Sequence, residues 1–206
     1  MNNLPDKTVE RLSQYRRSLN NQLAKGKTHI FSHEIANLLH ITPVQVRRDI
    51  MLIGYSGTLR KGYDIQDLVN LIGQIIDTDN GQNIAVIGMG NLGKAFIHYL
   101  YEKRTKLKIV AAFDVNPDKI NKSYADVYCY HMDQLEEIIA KESIKIGIIT
   151  TPPEAASELA DRLRDAGLKG ILNYTPKPLS EREGVYLEEY DMITSLEKVA
   201  YFVKNK

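Results

Sequence analysis

The stretch Ala85-Val86-Ile87-Gly88-Met89-Gly90-Asn91-Leu92-Gly93 spaces three glycines as G-x-G-x-x-G, directly after an apolar run. That pattern suits a strand, a tight turn and a helix start. The first glycine permits the turn, the second lets backbone approach a pyrophosphate, and the third lets helix and strand pack closely. The helix N-terminus then directs unpaired N–H groups at an anion. A second apolar run ends in Ala111-Ala112-Phe113-Asp114. Asp114 stands about 20 residues past the glycines, where a carboxylate can accept from adenosine ribose hydroxyls and repel a 2′-phosphate. No arginine follows it directly, which favours NAD(H), although Lys119 is nearby. The competing reading is an ordinary tight turn and a strand-end Asp. Gly88, Met89, Gly90, Asn91, Leu92, Gly93 and Asp114 are therefore candidate cofactor-binding residues. Thr150-Thr151-Pro152-Pro153 and Asn173-Tyr174-Thr175-Pro176 each follow an apolar run. Ligands of open α/β sheets bind beyond the carboxyl ends of the strands, which adds Thr151, Pro152 and Asn173. A helix cap followed by prolines is the plain alternative for Thr151.

A second cluster lies in the first third of the chain. Thr42-Pro43-Val44-Gln45 opens a helix, with Thr42 as N-cap, Pro43 at the first helical position and Gln45 completing a capping box. Arg47 and Arg48 fall in its first two turns, where they can reach base edges or phosphates of a major groove. The preceding helix is expected over residues 32–39, capped by Ser32, and His40-Ile41-Thr42 is a short turn of helix-turn-helix type. Residues 55–63, with Gly57 and Gly62 around Leu59-Arg60-Lys61, read as a two-stranded wing. Gln45, Arg60 and Lys61 are the other polar groups of this face. A solvated basic surface is the competing reading.

The elements that must position these groups divide the chain in two. Residues 7–23 keep the three-to-four spacing of an amphipathic helix and stop at Lys25-Gly26-Lys27. Helices follow over 32–39, 43–53 and 64–76. Asp77-Thr78-Asp79-Asn80-Gly81 is a polar linker, which gives domains of 1–80 and 81–206. Beyond it, strands at 83–87, 107–113, 126–130, 144–150, 170–173 and 185–189 alternate with helices at 91–103, 133–141 and 153–166. A last helix covers 194–203. The expected fold class is α/β: a winged helix-turn-helix domain followed by a doubly wound parallel sheet of Rossmann type and a C-terminal helix.

Charge follows the same division. Residues 7–61 carry ten Lys/Arg and three Asp/Glu, a balance of +7, within a chain of net charge +1. A basic front on an acidic remainder suits an anion-binding module joined to something else. Cys129 is the one cysteine, so there is no disulfide framework and no cysteine-rich metal site. The first 17 residues hold no apolar signal core, and no apolar run approaches a membrane span. The expectation is a cytoplasmic, soluble protein without a metal site or membrane contact.

These residues resemble the Rex family of redox-sensing transcriptional repressors over nearly the whole chain. The resemblance rests on Arg11-Leu12 with Tyr15 and Arg17, Val46-Arg47-Arg48-Asp49, Gly54, Gly62-Tyr63, the glycine block with His98-Tyr99, and Ala112-Phe113-Asp114. Lys169-Gly170-Ile171-Leu172-Asn173-Tyr174-Thr175-Pro176, Asp191 and Tyr201-Phe202 complete it. It implies a homodimer with the C-terminal helix exchanged between subunits. It implies binding to a palindromic double-stranded operator in the NAD⁺-bound or apo form, with release on binding NADH. It adds Tyr99 and Asp191 to the cofactor-responsive residues, and Arg17, Ser32 and Met51 to the DNA-binding set. The chain departs from many relatives at Ile50-Met51-Leu52-Ile53, where they carry Phe-Ser-Tyr-Phe, and in the wing. It departs also at Met192, where some have Phe.

An NAD-dependent oxidoreductase is the rival class. Such an enzyme needs a proton donor beside the nicotinamide and a place for substrate. Of the histidines, His29, His33 and His40 belong to the basic module, His98 follows the glycines on a helix, and His131 follows a strand. The chain beyond Asp114 is short for a substrate domain, so the expectation is a protein without catalytic residues.

Overall fold

The computed structural model describes residues 4–101 and 106–204. The chain forms two compact units, Met1–Asp79 and Asn80–Lys206.

The first unit packs four helices around one apolar core. Helix α1 (Asp6–Ala24) buries Leu12, Tyr15 and Leu19 on one face and ends before Gly26, whose φ is +81°. Helices α2 (Ser32–Leu39) and α3 (Pro43–Leu52) meet at a turn in which His40 takes the left-handed conformation. Helix α4 (Ile65–Ile76) contributes Ile65, Leu68 and Ile72 to the same core. Three local expectations change. Phe31, not Ser32, is the cap of α2: the Glu34 carboxylate accepts the Phe31 N–H at 2.8 Å, which leaves the Ser32 hydroxyl for another partner. Thr42 caps α3 through the Gln45 N–H at 3.2 Å, but the Gln45 side chain does not close a capping box; it donates to Asp49 at 2.9 Å. The wing is not a two-stranded ribbon. Strand β2 (Tyr63–Asp64) pairs antiparallel with β1 (His29–Ile30), and only the Thr58–Gly62 bridge joins the arms of the tip. Gly62, at φ +77°, passes so close to Ile30 that a β-carbon would lie 2.5 Å from its carbonyl oxygen.

Asp49 ties this unit together. It is 1% exposed and accepts four hydrogen bonds: Arg11 Nε at 2.6 Å, Arg11 Nη2 at 2.8 Å, the Tyr15 hydroxyl at 2.7 Å and Gln45 Nε2 at 2.9 Å. That uses the acceptor capacity of a carboxylate. Burial alone would raise its pKa; the bonds from Arg11, Tyr15 and Gln45 outweigh it and hold the carboxyl below its ordinary range. Burial and the Asp49 bond push the Tyr15 hydroxyl far above its usual value.

The second unit is a seven-stranded sheet between helices. Its order is β5 (Lys122–Tyr124), β6 (Val127–His131), β4 (Leu107–Asp114), β3 (Gln82–Ile87), β7 (Ile144–Ile149), β8 (Gly170–Asn173) and β9 (Tyr186–Glu189). All pairings are parallel except β5 with β6 at the edge. Strand β5 had no counterpart in the sequence reading, and a 3₁₀ turn (Met132–Gln134) precedes α6 (Leu135–Lys141) where one helix was expected. Helices α5 (Asn91–Tyr101) and α7 (Pro153–Asp165) follow β3 and β7. Alternate strand residues serve opposite cores: Ala85, Ile87, Ala111 and Phe113 one, Ile84, Val86 and Ala112 the other. Cys129 is buried, and burial pushes its thiol up to about 11, so it stays protonated at neutral pH. Helix α8 (Met192–Lys204) has no buried residue; Met192, Ile193, Leu196, Val199 and Phe202 are all exposed.

Removing the Asp49 carboxylate strands a buried phenol and a half-buried guanidinium. Asp49→Ala should destabilise the first unit by roughly 3–5 kcal/mol. In urea titrations read by hydrogen exchange, α1 and α3 should lose protection while β3 and β7 keep theirs. Because the folded pKa is depressed, the contribution is full above about pH 4 and fades as pH falls through the folded value.

Candidate functional site

Strand β3 lies at the centre of the sheet, with β4 on one side and β7 on the other. Chains leaving the carboxyl ends of β3 and β7 turn to opposite neighbours, which opens a crevice at the switch point. The glycine loop lies there. Gly88 has φ +98°, and its N–H donates to the Phe113 carbonyl at 2.8 Å. A β-carbon on it would meet Thr151 Cγ2 at 2.8 Å and the Thr150 carbonyl oxygen at 2.9 Å. Gly93 is tighter, since its β-carbon would lie 2.1 Å from the Gly88 carbonyl oxygen. Gly90 is the opposite case: a β-carbon there would meet nothing within 4 Å. Two glycines are thus demanded by packing, and the middle one faces open space.

Side chains from β4 and β7 complete the crevice. The Thr150 hydroxyl donates to the Gly88 carbonyl oxygen at 2.7 Å and clamps the loop from below. The neighbouring Thr151 hydroxyl is buried and has no hydrogen-bond partner among the described residues. Pro152 precedes α7 at its N-cap position. Asp114, 7% exposed at the end of β4, accepts the Met89 N–H at 2.7 Å and the Asn116 N–H at 2.8 Å, and pairs with Lys119 at 3.0 Å. Burial raises its pKa, and the donors at Asn116, Lys119 and Met89 outweigh it, so the carboxyl is ionised well into acid. An open place beside Gly90, an orphaned hydroxyl and a buried ionised carboxylate suit a ligand with a backbone of phosphates and a ribose diol.

The remaining candidates sort unevenly. The Met89 side chain is fully buried and its N–H is spent on Asp114, so it supports the loop rather than facing a ligand. Asn91 and Leu92 form the first turn of α5. Asn173 is fully buried with its amide engaged. Its Nδ2 donates to the Lys177 carbonyl and to Glu189, and its Oδ1 accepts from the Thr175 N–H and hydroxyl. It shapes the loop after β8 and turns no polar atom of its side chain outward. Tyr99 is 57% exposed on α5. Asp191 caps α8, accepting the N–H groups of Ile193 and Thr194 and the Thr194 hydroxyl. The Thr194 hydroxyl and N–H lower its pKa. The sequence reading missed Thr150, Thr175 and Glu189, whose partners are set by the sheet and leave no spacing signal.

In the first unit, α3 buries Val46, Asp49 and Ile50 and turns Val44, Arg47, Arg48 and Met51 outward. Arg47 Nη1 donates to the Ser32 hydroxyl at 3.2 Å, so these two predicted residues meet across the helix-turn-helix. Gln45 is diverted to Asp49. Arg17 is exposed on α1. Arg60 and Lys61 are exposed at the wing tip, and with Lys27, His29, Phe31 and His33 they line an open groove. Phe31 was not singled out from sequence, and His29 and His33 were placed only in the basic module, because β1, the start of α2 and the wing tip meet at this groove only in the fold.

A basic helix-turn-helix unit followed by a Rossmann unit with an open glycine crevice defines a nucleotide-binding, DNA-binding protein class. Residues 3–50 match the family model "Putative DNA-binding protein N-terminus", and residues 79–177 match "CoA binding domain". The redox-sensing transcriptional repressor Rex of Bacillus licheniformis is 36% identical over 98% of this chain and 94% of its own. That of Geobacillus kaustophilus is 37% identical over the same shares. The chain belongs to the Rex family of redox-sensing transcriptional repressors. The crystal structure of RSP in complex with β-NAD⁺ and operator DNA aligns with a TM-score of 0.92 at 31% identity, over all of this chain and 94% of that one. RSP in complex with β-NADH aligns at 0.86 and 30%, over all of this chain and 96% of that one. No helix among the described residues is long and apolar enough to cross a membrane.

The glycines make a clean experiment. Gly93→Ala should destabilise the second unit by about 1–3 kcal/mol, because backbone must move. Gly90→Ala should leave the melting temperature unchanged and weaken dinucleotide binding on the order of tenfold, about 1.4 kcal/mol. Thermal melts beside calorimetry separate the two. Equal behaviour of the variants would place the ligand elsewhere.

Proposed function

We propose that this chain is a redox-sensing repressor: a dimer that holds a palindromic operator and lets go when NADH occupies its Rossmann unit. One observation carries the reading. A single chain joins an outward basic recognition helix to a crevice with an open glycine and an orphaned hydroxyl, and it is related over its full length to repressors of this kind. The place of action is the cytoplasm, where both operator and free dinucleotide are available.

Each group has a stated part. The backbone of Gly88, Gly90, Asn91, Leu92 and Gly93 holds the pyrophosphate at the start of α5. Asp114 accepts from the adenosine ribose, and Met89 and Asn173 keep their loops in place. Thr151 and Pro152 stand at the nicotinamide end. Arg47, Arg48 and Met51 face the major groove, with Ser32 orienting Arg47. Arg17, Arg60 and Lys61 bind the flanking backbone, and Gln45 acts through Asp49. The exposed apolar face of α8 is covered by a second copy, by exchange of the helix between subunits.

The bound dinucleotide supplies two redox states that differ by a hydride and one positive charge on the nicotinamide. A ligand shifts an equilibrium only by its differential affinity for the two states. The glycines and Asp114 meet the shared half, so discrimination belongs to the other end, where Tyr99 and Asp191 are assigned. An apolar pocket there accepts the neutral reduced ring at less cost than the charged one.

Mobility shifts of an operator complex titrated with NADH at fixed NAD⁺ test the whole scheme. Release with no NADH turnover is expected; turnover without DNA affinity would establish an oxidoreductase instead. Arg47→Ala or Arg48→Ala should lose about 1–3 kcal/mol of operator affinity, and wild-type binding should fall steeply with salt. Tyr99→Phe, and Asp191→Asn which keeps the cap of α8, should blunt the response to NADH while apo binding persists.

A further inference from the structure

The carboxylate assigned to the ribose is not waiting empty-handed. Its two oxygens offer about four acceptor positions. Oδ1 holds the Asn116 N–H; Oδ2 holds both the Met89 N–H and the Lys119 ammonium. The two backbone donors are fixed by the turns that carry them. Lys119 is fixed only at its backbone. Its N–H donates to the Asn116 carbonyl at 2.9 Å, and its own carbonyl accepts from the Tyr124 hydroxyl at 3.2 Å. The side chain returns five residues to Asp114 on a flexible stem, and it is 29% exposed. A ribose diol brings two donors, whereas Asp114 has one open acceptor position. The second place on Oδ2 is the one that Lys119 occupies.

We propose that Lys119 is a specificity-determining residue of the dinucleotide site. It yields its place on Asp114 to the ribose diol, and its ammonium then stands at the ribose edge where a 2′-phosphate is carried. This rests on the reading of Asp114 as the ribose acceptor. An unpaired aspartate repels a 2′-phosphate outright. Here the cation within 3.0 Å offsets that repulsion and supplies a charge-assisted donor to the phosphate. NADPH is therefore tolerated at this site to a degree that the acid alone would forbid. For NADH the same cation is close to neutral in effect, since it gives up one partner as the diol arrives.

The test is calorimetry of NADH and NADPH on the full chain, wild type against Lys119→Gln and Lys119→Arg. Wild type should bind both, NADH more tightly. Lys119→Gln should lose NADPH affinity by about tenfold or more, with NADH changed by less than about threefold. Lys119→Arg should restore NADPH binding. Adenosine 2′,5′-bisphosphate and AMP, which lack the nicotinamide, should show the same split. Equal losses for both cofactors would overturn the proposal, because Lys119 would then merely support Asp114. No change for either, or a wild type that binds NADH but not NADPH, would overturn it too. Failure of NADH itself to bind wild type, or indifference of NADH binding to Asp114→Ala, would instead remove the underlying reading of the site.

Discussion

The second unit depends on one close approach. Helix α5 crosses the end of β3 at a distance that only a hydrogen at Gly93 permits, with the Gly88 carbonyl oxygen where a β-carbon would be. That crossing sets the direction of α5, and with it the N–H groups of its first turn. The Thr150 hydroxyl holds the same carbonyl from the next strand, so β3, α5 and β7 share a single point of reference. Asp114 reaches it from β4 by accepting the Met89 N–H. Three strands and a helix thus agree on the position of one turn. What lies above that turn, at Gly90, is left open.

The first unit has its own reference point in Asp49. A carboxylate buried at 1% exposure survives because four donors surround it, two from one guanidinium. Its partners come from α1 and α3, so α3 is tied to the body of the unit by a directional polar contact as well as by apolar packing. Apolar contacts tolerate sliding; a saturated carboxylate does not.

What the sequence disclosed tracks how local each constraint is. The glycine block and Asp114 were legible because each residue type answers a demand made within a few positions. Thr42 and Pro43 announced α3 for the same reason. Thr150 was not legible, since a threonine ending a strand is ordinary and its partner, Gly88, is 62 residues away. Asn173 read as a ligand group because it follows a strand; burial turned its amide inward, onto Lys177, Thr175 and Glu189. Gln45 read as half of a capping box, but Asp49 one turn on was the stronger acceptor. The wing misled because its partner strand, His29–Ile30, is too short to show any periodicity. Spacing alone did not disclose the exposed face of α8, since its apolar residues have the period of a helix that packs on its own chain; only the family resemblance pointed to a partner for it.

The division of labour on α3 has an evolutionary consequence. Val46, Asp49 and Ile50 are the buried residues of the helix, whereas Val44 is 64% exposed and Met51 73%. The outward positions are therefore nearly free of folding constraint. Substitutions there change the face that α3 presents without first passing through an unstable intermediate. A single outward step can therefore give such a helix a new contact face, whereas a change at Val46, Asp49 or Ile50 has to be accommodated by the core around it.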